Sequence, residues 1–262
     1  MSRGAYAEDL GRIEEALERA RAALQRFTPG EIETHYKQGG DPVTEADTTV
    51  DTLLRELLPR DGDGWLSEET RDDLVRLERR RVWVVDPLDG TRELVAGIPE
   101  WCVSIGLVVD GEPVAGGICN PVTGETIVGA RGAGVTLNGR PAGVSGRPTL
   151  EGARVVASRS EVKRGEWEGY REDLFEIQPM GSVAYKLGLV AAGLADATWT
   201  LTPKHEWDVA AGVALVLAAG GAIVTGAPEE TRFNRAKPLL SSLIASNPSL
   251  IPEIEAEIAR RG

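Results

Sequence analysis

The chain has 262 residues, enough to bury a substantial core as one large domain or two closely packed lobes. Acidic residues outnumber basic ones 41 to 29, and the net charge of −12 comes with no broad Lys/Arg cluster, which argues against a nucleic-acid partner. The N-terminal segment carries charges throughout and no apolar run approaches a membrane span, so neither a signal peptide, a transmembrane helix nor a membrane partner is expected.

Leu10, Ile13, Ala16, Leu17, Ala20, Ala23 and Leu24 recur at helical spacing, so residues 6–27 read as an amphipathic helix closed by Thr28-Pro29-Gly30. A Gly/Asp/Pro turn opens a second helix with Val43, Ala46, Val50, Leu53, Leu54 and Leu57 on one side, and Pro59 ends it. A short charged helix is expected over 70–80, followed by a buried strand at Arg81–Val85. WCVSIGLVVDGEPVAGGICNP forms a hairpin turning at Asp110-Gly111, ETIVGARGAGVTLNG turns at Asn138-Gly139, and residues 153–158 form a further strand. Cys102 and Cys119 fall in these apolar stretches at a spacing that matches no metal or redox motif, so two reduced core thiols and a cytoplasmic location are expected. In the second half, 181–195 and 208–219 read as helices, the latter ended by Gly220-Gly221 before the strand AIVTG. Runs of strands followed by helices predict a layered α/β or α+β fold. A boundary near residue 148 would divide an N-terminal lobe, 1–148, from a C-terminal lobe, 149–262.

The buried strand runs into Asp86-Pro87-Leu88-Asp89-Gly90-Thr91. Carboxylates at the C-terminal end of a strand face the crevice where open sheets bind ligands, and two of them there repel each other unless a cation lies between. Asp-Pro and Asp-Gly also simply make turns. Three further acidic patches occupy similar junctions: Asp41 to Asp47, Glu68-Glu69 and Asp208. Each has a plainer reading, as a solvated helix face, a solvated loop and a helix cap respectively. Hard-cation chemistry gives all of them one use, because Mg²⁺ takes oxygen ligands, keeps waters and is held by a few carboxylates together with substrate phosphate. His35 and His205 belong to no zinc-spaced cluster and read as surface or loop residues. Gly90 and Thr91, at an expected helix start, offer main-chain N–H donors to a phosphate oxygen, and Thr91 adds a hydroxyl to orient a water.

DPVTEAD (41–47), WLSEE (65–69), WVVDPLDGTRE (83–93) and WDVAAG (207–212) together resemble, in order, the signatures of the inositol monophosphatase superfamily of Mg²⁺-dependent, lithium-sensitive phosphatases. GICNPVTGE, GAGVTLNG and GSVAYKLGLVAAGLADA extend the resemblance over nearly the whole chain. It implies an α-β-α-β-α layered sandwich, commonly a homodimer, that hydrolyses a small phosphate ester with metal-activated water. Carried over, it implies that Glu68, Asp86 and the carbonyl of Leu88 hold one Mg²⁺, and that Asp86, Asp89 and Asp208 hold a second. A third ion is implied near Glu68, with Asp47 and Thr91 activating the water.

Inositol-specific members are similar in placing an acid seven positions before the last metal aspartate, where this chain has Leu201. SEE, Arg92-Glu93, ASRS at 157–160 and Lys186 resemble instead the 3'(2'),5'-bisphosphate nucleotidases of sulfur assimilation. The substrate favoured is therefore adenosine 3',5'-bisphosphate, with inositol 1-phosphate or a related polyol or sugar phosphate as the alternative and a non-catalytic regulatory partner as a reading of another class. Ser182 and Lys186 are the expected substrate contacts, Lys186 as a point charge for a second phosphate. Ser182 as a helix cap and Lys186 as a snorkelling helix lysine fit the pattern equally. Trp207 reads as core packing.

Overall fold

The computed structural model describes residues 5–36 and 40–261. In chain order its elements are α1 (Ala7–Leu24), β1 (Thr34–Tyr36), β2 (Pro42–Thr44), α2 (Glu45–Leu57), β3 (Gly64–Ser67), β4 (Arg81–Asp89), α3 (Thr91–Val95), β5 (Cys102–Val109), β6 (Glu112–Asn120), β7 (Glu125–Ala130), β8 (Gly134–Leu137) and β9 (Arg140–Ala142). There follow β10 (Arg154–Ser158), α4 (Arg159–Lys163), β11 (Glu176–Met180), α5 (Val183–Ala191), β12 (Ala197–Thr200), β13 (Lys204–His205), α6 (Glu206–Ala218), β14 (Ala222–Thr225), β15 (Leu239–Leu240), β16 (Leu243–Ser246) and α7 (Ile251–Arg261). A seven-stranded sheet runs β3-β4-β5-β6-β7-β8-β9, and a five-stranded sheet runs β11-β10-β12-β16-β14.

Three hydrophobic clusters separate five layers. Trp83 and Val85 of β4 meet Ile13, Leu17, Val50 and Leu54 of α1 and α2 on one face of the first sheet. Val82 and Val84 point the other way, into a cluster where α5 and α6 fill the space between the two sheets. Beyond the second sheet, Trp167, Tyr170, Trp199 and Ile254 form the third cluster beneath α4 and α7. The architecture is thus α-β-α-β-α. With both faces of β4 covered, period-two alternation between apolar and polar residues is replaced by an unbroken apolar run.

The two tight hairpins form as their sequences require. Asp110 and Gly111 have φ of 52° and 78°, and Asn138 and Gly139 have 50° and 74°, the left-handed pairs of two-residue turns whose twist matches the strands. Elsewhere the structure departs from the expected elements. The charged segment over 70–80 makes only the single 3-10 turn Val75–Glu78, because Leu74, Val75 and Leu77 stay exposed and provide no apolar face for a longer helix. Val43 pairs across β1 with His35 rather than lying on α2, which starts at Glu45. The strand also does not stop at Asp86: β4 continues to Asp89 through a bulge, with Asp86 opposite Ser104 and Asp89 opposite Cys102.

One close contact sets the depth of α6. Gly106 and Gly116 lie beneath it, and a Cβ on Gly116 would stand 2.5 Å from the carbonyl oxygen of Ala211. A Cβ on Gly106 would stand 2.9 Å from the Cβ of Ala210. Helix main chain therefore rests almost directly on strand main chain.

Candidate active site

Parallel pairing of β3 with β4 sets Ser67 opposite Val85, so the next residues, Glu68 and Asp86, emerge side by side. The bulge then turns Asp89 to the same end of the sheet, and Asp86 Oδ1 steadies it by accepting the Leu88 N–H at 2.9 Å. α6 brings Asp208 to this point as its third residue, closing a capping box in which the carboxylate accepts the His205 N–H at 2.9 Å. Glu68, Asp86, Asp89 and Asp208 line one cavity of about 320 Å³ together with Leu88, Gly90, Thr91, Ser182 and Lys186. Gly90 takes φ +104°, and a Cβ there would meet the Cβ of Trp101 at 2.9 Å, so no other residue fits this corner.

The aspartates are only half satisfied. Asp89 Oδ2 accepts the Ser182 hydroxyl at 2.7 Å and the Ala184 N–H at 2.5 Å. Among the described residues, Oδ2 of Asp86, Oδ1 of Asp89 and Oδ1 of Asp208 accept no hydrogen bond. Burial, and then the negative charges of Glu68, Asp89 and Asp208, push the Asp86 carboxyl well above the usual range. Asp208 is raised by burial and by Asp89 and Glu68. Asp89 is raised by burial against the pull of its two donors. Repelling carboxylates, each with an oxygen turned to a shared space, are the donor set of a hard divalent cation. Among the described residues no three or more acidic, His or Cys side chains are gathered closely enough to hold an ion as they stand, so a bound ion would need the carboxylates to draw together and water or substrate oxygens to supply the remaining ligands.

Asp47 is placed differently. It is 1% exposed as the third residue of α2, also closing a capping box. Its Oδ2 accepts the Thr44 N–H and hydroxyl, each at 2.7 Å, and its Oδ1 accepts the Thr91 hydroxyl at 2.8 Å. Burial still holds its carboxyl above the usual range. Asp47 is not part of the cavity wall; Thr91 is, so the carboxylate meets the cavity through the threonine hydroxyl.

The other expected residues fall into place unevenly. Ser182 both caps α5, accepting the Tyr185 N–H at 3.0 Å, and binds Asp89. Lys186 is 4% exposed, and its amine turns back onto main-chain carbonyls; burial pushes its pKa down to about 8. Arg159 lines the cavity and is held by Glu100, whereas Lys204 pairs with the buried Glu161. Leu201 is half-exposed in a second cavity beside Trp167 and Trp199. Trp207 packs against the central core as expected, yet it also lines the catalytic cavity, where His205 stacks on it at 4.2 Å. Thr44 and His205 were legible as partners from the T-x-x-D and H-x-x-D spacings. Met180 has no local signal, because packing of the second sheet against the first delivers it; Ser158 falls within the ASRS stretch, and Glu100, in the loop before β5, shows its part only through Arg159 and Gly181.

A layered fold with an acid-lined cavity at the strand ends and a buried carboxylate–threonine pair beside it defines a hydrolase of small polar esters. Residues 6–260 match the inositol monophosphatase family, and the chain belongs to it, as a phosphoric monoester hydrolase of a generally metal-dependent family. It is 34% identical over 221 residues to an inositol-1-monophosphatase of Mesorhizobium japonicum, covering 80% of this chain and 82% of that one. It is 36% identical over 192 residues to the Nus factor SuhB of Xylella fastidiosa, covering 70% and 69%. Among solved structures, the extragenic suppressor protein suhB of Bartonella henselae superposes with a TM-score of 0.79 at 29% identity, over 95% of this chain and 98% of that one. Among the described residues, no helix is long and apolar enough to cross a membrane.

Proposed function

We propose that the chain is a Mg²⁺-dependent phosphomonoesterase acting on a small doubly phosphorylated substrate of the adenosine 3',5'-bisphosphate type. The observation that carries the metal reading is the set of half-satisfied aspartates sharing one cavity. Glu68, Asp86 and the Leu88 carbonyl would hold one ion, Asp86, Asp89 and Asp208 a second, and the surroundings of Glu68 a third. Bound there, the cations neutralise the phosphate, acidify a water and stabilise the leaving oxygen.

The protein's own part is to position and deprotonate that water. Thr91 donates its single hydroxyl proton to Asp47 and keeps its lone pairs for a water in the cavity. As the water oxygen bonds to phosphorus and the ester P–O bond breaks, the water's proton passes to the Thr91 oxygen, the threonine's own proton passes to Asp47, and the leaving oxygen, which departs with the bonding pair, takes a proton from a second water. A carboxyl whose pKa burial has raised suits that task. Gly90 leaves room for the phosphate beside α3.

A second phosphate is favoured by Arg92 and Arg159 in the cavity wall, where Arg92 pairs with Asp41 and Arg159 with Glu100; Leu201 sits in the other cavity, so the lack of an acid there does not bear on the choice. Inositol 1-phosphate is the second reading, favoured by the name of the Mesorhizobium relative. The SuhB relative's name as a Nus factor keeps a non-catalytic role in view, but intact Asp47, Glu68, Asp86, Asp89, Thr91 and Asp208 favour turnover. Phosphate release from adenosine 3',5'-bisphosphate, inositol 1-phosphate and fructose 1,6-bisphosphate, with Mg²⁺ or with EDTA, tests these readings together. Metal-independent turnover, or full activity in Asp89→Asn, rejects the metal centre; a preference above about tenfold for inositol 1-phosphate, equal to about 1.4 kcal/mol, reverses the substrate ranking. Lithium inhibition, a homodimer, the lobes 1–148 and 149–262, and a cytoplasmic location consistent with two buried free thiols complete the proposal. Enzyme assays with lithium, sedimentation and limited proteolysis check the first three.

A further inference from the structure

Lys186 lies one turn into α5, yet its amine points back towards the start of the helix. Nζ stands 2.7 Å from the Ser182 carbonyl oxygen, 3.3 Å from that of Gly181 and 3.4 Å from that of Met180. An ammonium group has three N–H donors, and three carbonyls face it, so no donor is left for a substrate phosphate. These carbonyls converge where Ser182 adopts φ +51°, a conformation that residues other than glycine seldom take. The turn is held from its opposite side by Glu100, which accepts the Gly181 N–H at 2.7 Å. It lies close to α3: a Cβ on Gly181 would stand 2.4 Å from side-chain carbons of Glu93, which would have to shift to admit it.

The same turn supplies the donors that orient Asp89. The Ser182 hydroxyl and the Ala184 N–H both reach Asp89 Oδ2, so among the described residues Oδ1 accepts no hydrogen bond, and Asp89 lines the cavity. The Ser182 hydroxyl, the Ala184 N–H and the carbonyls of 180–182 thus belong to one short segment, and its carbonyls are gathered around the Lys186 amine.

We propose that Lys186 is a positioning residue: it holds the turn Met180–Ser182 in the shape that fixes one Asp89 oxygen and presents the other to a bound divalent cation. The inference rests on the metal-centre reading above and assigns to Lys186 a task other than gripping a second phosphate.

The test compares the full-length wild type with Lys186→Met and Lys186→Gln. Calorimetric titration with Mg²⁺ alone measures affinity, and steady-state kinetics at fixed Mg²⁺ use adenosine 3',5'-bisphosphate and inositol 1-phosphate. Groups that orient metal ligands typically change affinity by about 10- to 100-fold when removed. Lys186→Met is expected to weaken Mg²⁺ binding to that extent and to lower kcat/KM for both esters by one common factor. Lys186→Gln, which keeps an amide donor for one carbonyl, falls between it and wild type, and supplies the measurement if the methionine variant does not fold. Wild-type Mg²⁺ affinity in a folded variant, or a rise in KM confined to the bisphosphate, overturns the inference while leaving the metal centre standing. A wild-type protein that takes up no Mg²⁺ removes the metal-centre reading and this inference with it.

Discussion

Replacing Asp47 by Asn separates proton transfer from folding. The asparagine cannot aim its amide nitrogen at Thr44, whose N–H and hydroxyl both donate to that side at 2.7 Å. It must turn the nitrogen to Thr91 instead. The Thr91 hydroxyl then accepts from the amide and swings its own proton to the Leu88 carbonyl oxygen, 3.1 Å away. Every group but the second amide N–H keeps a partner. The loss is the difference between hydrogen bonds to a charged and to a neutral acceptor, roughly 1–2 kcal/mol. Relief of a buried carboxylate whose pKa burial has raised offsets part of it, so the net change in folding stability is expected within about 1 kcal/mol. Catalysis loses its proton acceptor, and Thr91 now competes for the Leu88 carbonyl. A positioned general base contributes about 10²- to 10⁴-fold, so kcat should fall by that factor, equivalent to about 3–5 kcal/mol in the barrier. Urea unfolding and phosphate-release kinetics on one preparation make the measurement. A kcat within threefold of wild type would refute the relay, and a stability loss above about 3 kcal/mol would refute the rearranged network.

Three further outcomes are expected. In metal-free protein the Asp86 carboxyl is raised in the folded state, so the folded chain holds a proton that the unfolded chain has released; its contribution to stability is therefore present at low pH and fades as pH rises above about 4. Asp86→Asn in EDTA should accordingly melt higher than wild type at pH 7.5, with the gap closing as the pH approaches 4, and a gap that is constant with pH would count against crowded carboxylates. Because Mg²⁺ binds the deprotonated carboxylates, the rise in Tm on adding it should be larger at pH 7.5 than at pH 5, about 2–4 °C for each kcal/mol of binding free energy at this chain length. Gly116→Ala pushes a methyl group to 2.5 Å from the Ala211 carbonyl oxygen, so overpacking should lower stability by about 1–3 kcal/mol in a melting experiment; an unchanged Tm would mean that α6 is free to lift.

Local patterns carried much of this fold. The apolar run before Asp86 and the Asp-Gly and Asn-Gly turns are readable because each depends on residues within a few positions. The acidic site was legible for the same reason: Asp86, Asp89 and Glu68 sit where strands end, and Asp208 where a helix starts. What stayed hidden depends on partners distant in the chain. Nothing near Lys186 announces that its amine folds onto the turn before it, because that geometry follows from the positive φ at Ser182 and from Glu100, more than eighty residues earlier. The role of Leu201 likewise turned on which cavity β12 and its loop would face. The bulge in β4 looked like a strand end because proline and two aspartates punctuate it, although pairing with β5 carries on past them.

Gly106 and Gly116 give the seat of α6 a quality that side-chain packing lacks. Where backbone lies on backbone there are no rotamers to trade and no volumes to redistribute, so the floor that carries Asp208 has almost no freedom to drift as the surface changes. A change in which ester fits would then fall on other lining residues, such as Ser158–Ser160, His205 and Trp207, while the depth of the reaction centre stays the same.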